Sequence, residues 1–358
     1  MRFIKRLATH PQNVDFPLQI HAPADWQSIE SGKINQGSLW CTSIALPEVP
    51  EAHIIIPSFS CLEESYQYQW NVSRQSLSKS GARPGSGSVE NLSALAPITP
   101  AGSTAHPIFV VTHDAPGALR GKIDCWHTES PLTESRAHVL LWLPNSTTPP
   151  KRDLLAITVR PIDLADYQLP NADDSIRLPI PRAISQMQAE PGIAKRICSP
   201  TATAMAVGGG QALEHWPGAV EACLDPHTKA YGKWPLAIYW ASQNTRIGSI
   251  EASVDWKAAL TVLKKGSLVV CSIRFGKEDL PGAPIEQTSG HLVVLYGLEF
   301  EGEHGFALVM DPAAASADEV VRRYPLESFS DAWLSHRGGT YLFSTPPASA
   351  SRPGETAT

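Results

Sequence analysis

Helical periodicity is nearly absent from the first 180 residues of this 358-residue chain, and that limits what this stretch can fold into. Its apolar runs are short, at 53–57, 66–72, 108–112, 138–143 and 154–160, and clusters of Pro, Gly, Ser and Asn separate them. In the second run Tyr66, Tyr68 and Trp70 alternate with polar residues, the period of a strand with one face buried. Repeated short strands with turn signals between them predict an all-β, sandwich-like domain over residues 1–170. Residues 76–102 are rich in Ser, Gly, Pro and Ala and read as a long loop. Pro170-Asn171-Ala172-Asp173-Asp174 opens a polar linker, placed at 171–178.

The period changes beyond it. Helical stretches are expected at 216–224, 235–242, 255–265 and near 325–335. The third ends at Gly266 with Lys264 and Lys265 in its last turn, where the helix dipole favours cations. Strands are expected at 267–273, 291–298, 305–310 and 340–343. Helices first and a mostly antiparallel sheet after them is an α+β order. It places a second domain at 179–344, before a Pro-, Ala- and Ser-rich tail at 345–358 that reads as disordered. A chain of this length with 42% apolar residues can fill two cores.

The chemistry concentrates in this second region. In Cys198-Ser199-Pro200-Thr201, Ser199 reads as a helix N-cap and Pro200 as the first helical residue. A cysteine at a helix start lies among unpaired N–H groups that stabilise a thiolate. Gly290-His291 precedes an apolar strand, and Asp311-Pro312 closes the next one. Cys198, His291 and Asp311 thus supply a nucleophile, a base and an acid to orient the base. The other five cysteines (41, 61, 125, 223 and 271) are spread thinly with no C-x-x-C, which argues against a disulfide framework. Cys223, His215 and His227 lack a usual zinc spacing, so neither metal nor other cofactor is expected.

Six separated motifs carry a family resemblance: Ser185-Gln186-Met187, Cys198 to Thr201, Tyr231-Gly232-Lys233-Trp234-Pro235, Gly290 to Val294, Asp311-Pro312, and Tyr324 through Trp333. Together they resemble the papain-like cysteine peptidases named for processing bacteriocins with double-glycine leaders, in their stand-alone bacterial form. The resemblance covers residues 179–344. It implies an α+β papain-like catalytic domain with Cys198 as nucleophile, His291 as base and Asp311 orienting it. Gln186 would share the oxyanion hole with the Cys198 N–H, with Gln188 as the alternative donor; a side-chain amide suits this because it donates without titrating. The chain departs from the family at Gly208-Gly209-Gly210, which breaks the nucleophile helix early, and at Lys233, where Asn is common.

The function this implies is hydrolysis of a peptide bond through a thioester, on a peptide or protein substrate. Acyl transfer, cleavage of a non-peptide amide, and a binding protein with a degenerate hydrolase domain are the alternatives. A net charge of -6 and the lack of a basic run argue against nucleic acid. No run reaches the roughly 18 to 20 apolar residues that span a bilayer. The charged start lacks an apolar stretch behind it, so a cytoplasmic location is expected, although relatives are often exported. Oligomeric state is left open.

Overall fold

The computed structural model describes residues 5–10, 16, 18, 22–23, 25–29, 37–74, 109–122 and 124–344; the 76–102 loop and the 345–358 tail expected above lie outside them. Up to residue 161 every described regular element is a strand: β1 (Lys5–His10), β2 (Ala22–Pro23), β3 (Gln27–Ile29), β4 (Ser38–Ala45), β5 (His53–Cys61), β6 (Gln67–Arg74), β7 (Phe109–His113), β8 (Leu119–Gly121), β9 (Trp126–Thr128), β10 (Ser135–Leu143) and β11 (Asp153–Pro161). They form a six-stranded sheet in the order β2-β1-β11-β5-β9-β8 and a five-stranded sheet in the order β3-β4-β10-β6-β7. One core joins them. Ile55, Phe59, Leu155, Ile157 and Val159 of the first sheet meet Tyr68, Trp70, Val72, Val139 and Leu141 of the second. All of these positions follow the period of two expected of strands.

The second half holds β12 (Ile176–Arg177), α1 (Cys198–Gly208), α2 (Ala212–Ala222), α3 (Trp234–Gln243), β13 (Gly248–Ala252), α4 (Lys257–Lys264), β14 (Val269–Phe275), β15 (Thr288–Glu301), β16 (His304–Met310), β17 (Val321–Pro325), α5 (Leu326–Leu334) and β18 (Gly339–Phe343). The strands make a seven-stranded antiparallel sheet, β13-β18-β14-β15-β16-β17, with β12 added beside β15. One face packs on α1 to α3 through Leu292, Val294, Met205 and Trp240. The other packs on α4 and α5 through Val293, Leu295, Leu263 and Trp333. The sheet is therefore covered on both sides, which is why its central strands β14, β15 and β16 carry apolar runs. Trp333 is fully buried and Trp234 nearly so, as core aromatics.

The two halves meet along β13. Facing residues of β5 and β11 with even numbers point away from the first core, and their hydroxyls reach the free edge of β13. Ser60 Oγ donates to Gly248 O at 2.7 Å and accepts from Gly248 N at 3.2 Å. Ser58 Oγ accepts from Ile250 N at 2.9 Å, and Thr158 Oγ1 accepts from Ala252 N at 2.8 Å. Arg160, fully buried, donates to Ser253 O (2.6 Å), Leu334 O (2.9 Å) and His336 O (2.9 Å). Gly338 allows this approach. It has φ +58°, and a Cβ there would lie 2.0 Å from Ser253 O and 2.4 Å from Arg160 Nη1. In the 171–178 segment, Asn171 caps a short turn at Ala172–Asp174, and Asp174 pairs with Lys264 of α4 at 3.1 Å.

Candidate active site

Helix α1 begins at Cys198 itself. Ile197 occupies the N-cap position with no side-chain cap, so the expectation of Ser199 as cap and Pro200 as first residue is off by two positions. Pro200 still falls in the first turn, where its missing N–H has no intrahelical partner to lose. Ser199 Oγ instead bonds Tyr341 Oη of β18 at 3.1 Å, and Thr201 Oγ1 donates to Ile197 O at 2.7 Å while accepting from Trp216 Nε1 at 2.9 Å. These bonds tie the helix start to the sheet on one side and to α2 on the other. The helix ends at Gly208, with Gly209 at φ +55° just beyond, where the glycine run lies.

Cys198 is half-buried, whereas Cys41, Cys61, Cys125, Cys223 and Cys271 are buried. Burial pushes all five of those thiols up, Cys125 to about 12. Burial also opposes a charge on Cys198, yet its pKa is lowered. A hydrogen bond to His291, the imidazolium charge, and the backbone N–H groups of Leu292 and Ser199 outweigh the lost water. It is the one thiol of the six held down.

His291 lies at the start of β15, 3% exposed. Its Nε2 is 2.7 Å from Asp311 Oδ1, which leaves Nδ1 as the ring nitrogen for the thiol. Burial opposes the imidazolium, but the Asp311 carboxylate and Cys198 outweigh it and raise the pKa to about 10. Asp311 is fully buried at the end of β16, its own N–H donating to Val320 O at 2.8 Å. Burial would push this carboxyl up; His291, the Tyr324 hydroxyl and the Ala313 N–H hold it below its ordinary value instead. Ala313 N donates to Oδ1 at 2.9 Å and Tyr324 Oη to Oδ2 at 2.7 Å.

Gln186 is also brought to this end of the sheet. Its backbone N–H donates to Pro312 O at 2.8 Å, directly beside Asp311, and the Ser185 hydroxyl donates to Ala314 O. The side-chain Nε2 donates to Ala194 O at 2.8 Å, in the turn preceding Cys198. That carbonyl fixes the amide orientation, because an oxygen facing it would be repelled. Oε1 has no partner among the described residues. Gln188, by contrast, is exposed.

Lys233 acquires a place that the sequence did not reveal. Its ammonium pairs with Asp225 at 2.8 Å, and Asp225 also caps the N–H of Thr228 at 3.0 Å. The loop thus closed packs behind the nucleophile turn, with the Arg196 guanidinium 5.6 Å from the Tyr231 ring centre and donating to Lys229 O. Asp124, from the first half, accepts from Trp234 N at the start of α3 (3.4 Å); burial raises its carboxyl to about 6. Sequence reasoning passed over Asp124 and gave Tyr324 no role. Asp124 acts across 110 residues and Tyr324 from the neighbouring strand 13 residues on, and no local pattern records either contact. Among the described residues no group of three or more His, Cys, Asp or Glu could hold a metal, and no helix is long and apolar enough to cross a membrane.

A lowered thiol touching a raised imidazole, itself held by a buried carboxylate, is an arrangement that can present the thiol as a nucleophile. Residues 180–341 match the family described as Peptidase_C39 like, which supports the resemblance to papain-like C39 peptidases and points to cysteine peptidase activity. No curated protein matches the chain.

Proposed function

We propose that the chain is a cysteine peptidase with a papain-like catalytic half, using Cys198 as nucleophile, His291 as base and acid, and Asp311 as the orienting acid. The observation that carries this reading is geometric: a thiol at the first residue of α1 is hydrogen-bonded to His291, whose Nε2 lies 2.7 Å from the fully buried Asp311 carboxylate, and the directions of the shifts, thiol down and imidazole up, agree with it. The proton of Sγ rests on Nδ1 of His291, leaving a thiolate and an imidazolium. The sulfur attacks the peptide carbonyl carbon, a C–S bond forms, and the carbonyl oxygen becomes an oxyanion. The Cys198 N–H, at the positive end of α1, and the second Nε2 hydrogen of Gln186 are its donors. Collapse breaks the C–N bond as His291 gives its proton to the leaving amine. Water then attacks the thioester with its proton passing to His291, and the carboxylic acid leaves with Cys198 regenerated.

The test is incubation with a mixed peptide library, with product sequencing and intact-mass detection of an acyl adduct. Cleavage by the parent and none by Cys198→Ala is expected. An adduct on any other residue, or equal cleavage by Cys198→Ala, overturns the reading.

A further inference from the structure

We infer that Tyr324 is a fourth, positioning member of this site, acting on Asp311 and through it on the charge state of the Cys198–His291 pair. The inference rests on the reading of those three residues given above. Asp311 Oδ1 is shared between His291 Nε2 (2.7 Å) and Ala313 N (2.9 Å), while Oδ2 accepts from the Tyr324 hydroxyl at 2.7 Å. The carboxylate is fully buried, so each donor bears on whether it stays ionised and in which plane it lies. Without the hydroxyl, the buried Oδ2 loses the donor that holds it, which favours protonation of Asp311 and rotation of its carboxyl group.

Tyr324 is built to hold this bond. It sits on β17, beside β16, the strand that ends one residue before Asp311, with its backbone opposite Ala307. Its ring is fully buried and stacked on Phe329 of α5, 6.2 Å between centres with 22° between planes. Burial and the neighbouring carboxylate push its phenol far up, so it keeps its proton and remains a donor around neutral pH. A hydroxyl that cannot ionise, on a ring that cannot swing, gives a permanent hydrogen bond to the acid. The charge of Asp311 is among the groups that raise His291, and His291 is the largest of those that lower Cys198. Tyr324 therefore acts at the far end of a three-link chain that ends at the sulfur.

The experiment reads the thiolate directly, so it needs no substrate and stands apart from the peptidase reading. The rate of Cys198 alkylation by iodoacetamide is followed against pH in the full chain, for the parent, for Tyr324→Phe, and for the protein carrying 3-fluorotyrosine at position 324. Loss of the donor is expected to move the acid limb up by about one pH unit. The fluorinated phenol, a stronger donor on the same ring, moves it down. A substrate, once known, should show the loss in kcat with KM little changed. An acid limb that stays in place in either folded protein overturns the inference, and the fluorinated arm decides it if Tyr324→Phe does not fold. Reactive Cys198 with an unmoved limb would leave the nucleophile assignment standing without Tyr324.

Discussion

Replacing Asp311 with Asn removes a charge while sparing the geometry, and the structure shows why the geometry survives. Two N–H groups, of His291 and Ala313, converge on Oδ1, so the amide oxygen must take that place. The new NH2 then faces Tyr324, whose hydroxyl can turn and accept. His291 therefore keeps its tautomer, and the loss is confined to the carboxylate charge. The imidazole is raised from 6.5 to about 10. At about 1.4 kcal/mol per pH unit, that is on the order of 5 kcal/mol favouring the imidazolium, shared between Asp311 and the thiolate. If Asp311 supplies roughly half, about 2 to 3 kcal/mol is lost, or a fall in kcat/KM of roughly 30- to 150-fold near neutral pH. Asp311→Ala should fall further, because it also frees the ring to turn. The assay is kcat/KM beside melting temperature, with Cys198→Ala as the floor. An Asp311→Asn protein with unchanged kcat/KM would reduce the site to Cys198 and His291 and refute the reasoning.

Limiting iodoacetamide should label Cys198 ahead of the five buried thiols, as mapped by peptide mass; preferential labelling of Cys61 or Cys223 would contradict the electrostatics described here. The pH dependence should separate two reactions. As pH falls through the lowered pKa of Cys198 the sulfur regains its proton, and alkylation and hydrolysis decline together. As pH rises toward about 10 the imidazolium is lost, so hydrolysis falls while alkylation persists; parallel decline on the basic side would count against His291 as the acid. Finally, the Ser58→Ala, Ser60→Ala, Thr158→Val protein leaves Gly248 N and O, Ile250 N and Ala252 N without partners. At about 1 kcal/mol or more for each buried group, roughly 4 kcal/mol is lost and Tm should drop by about 5 °C in calorimetry; a change under about 2 °C would mean water serves that edge equally well.

The elements easiest to read in the sequence were those whose own neighbours determine them. Helix α4 carries its apolar face, its lysine-rich end and Gly266 within ten residues, and it lies within the stretch expected. The strands holding His291 and Asp311 are apolar runs, legible because helices cover both faces of their sheet. Helix α2 begins four residues before the expected 216, since Pro217 reads as a helix start yet lies inside the helix. Strand β13 escaped notice altogether. Gly248-Ser249-Ile250-Glu251-Ala252 has no apolar run, and its polar–apolar alternation through Ser249, Ile250, Glu251 and Ala252 is short and carried by one large apolar residue, although all five residues are buried. Its strand state comes from β18 on one side and from hydroxyls some 90 to 190 residues away on the other. The same holds at the site. Cys198, His291 and Asp311 announce themselves by residue type and local setting, while the donor on Oδ2 could be known only once β17 lay beside β16.

The hydroxyls of β5 and β11 bear on what the first half contributes. A free sheet edge presents unpaired N–H and C=O groups and invites pairing with another chain. Here the outward groups of Gly248, Ile250 and Ala252 meet Ser58, Ser60 and Thr158, spaced by two along strands whose opposite face fills the first core. One pair of strands thus serves two interiors, which is why both are buried on each face over nearly their whole length. Side chains terminate the sheet where a further strand would have extended it, and Arg160 binds three carbonyls at the same seam. From that edge the order β13-β18-β14-β15 leads directly to His291, and Tyr341 of β18 holds Ser199 beside the nucleophile. On the helical side, Asp124 meets the first turn of α3, whose Trp234 lies against Gly339 at the start of β18. The first half therefore touches both the sheet and the helices between which Cys198 and His291 face each other, so a disturbance at the seam has two short routes to these two residues.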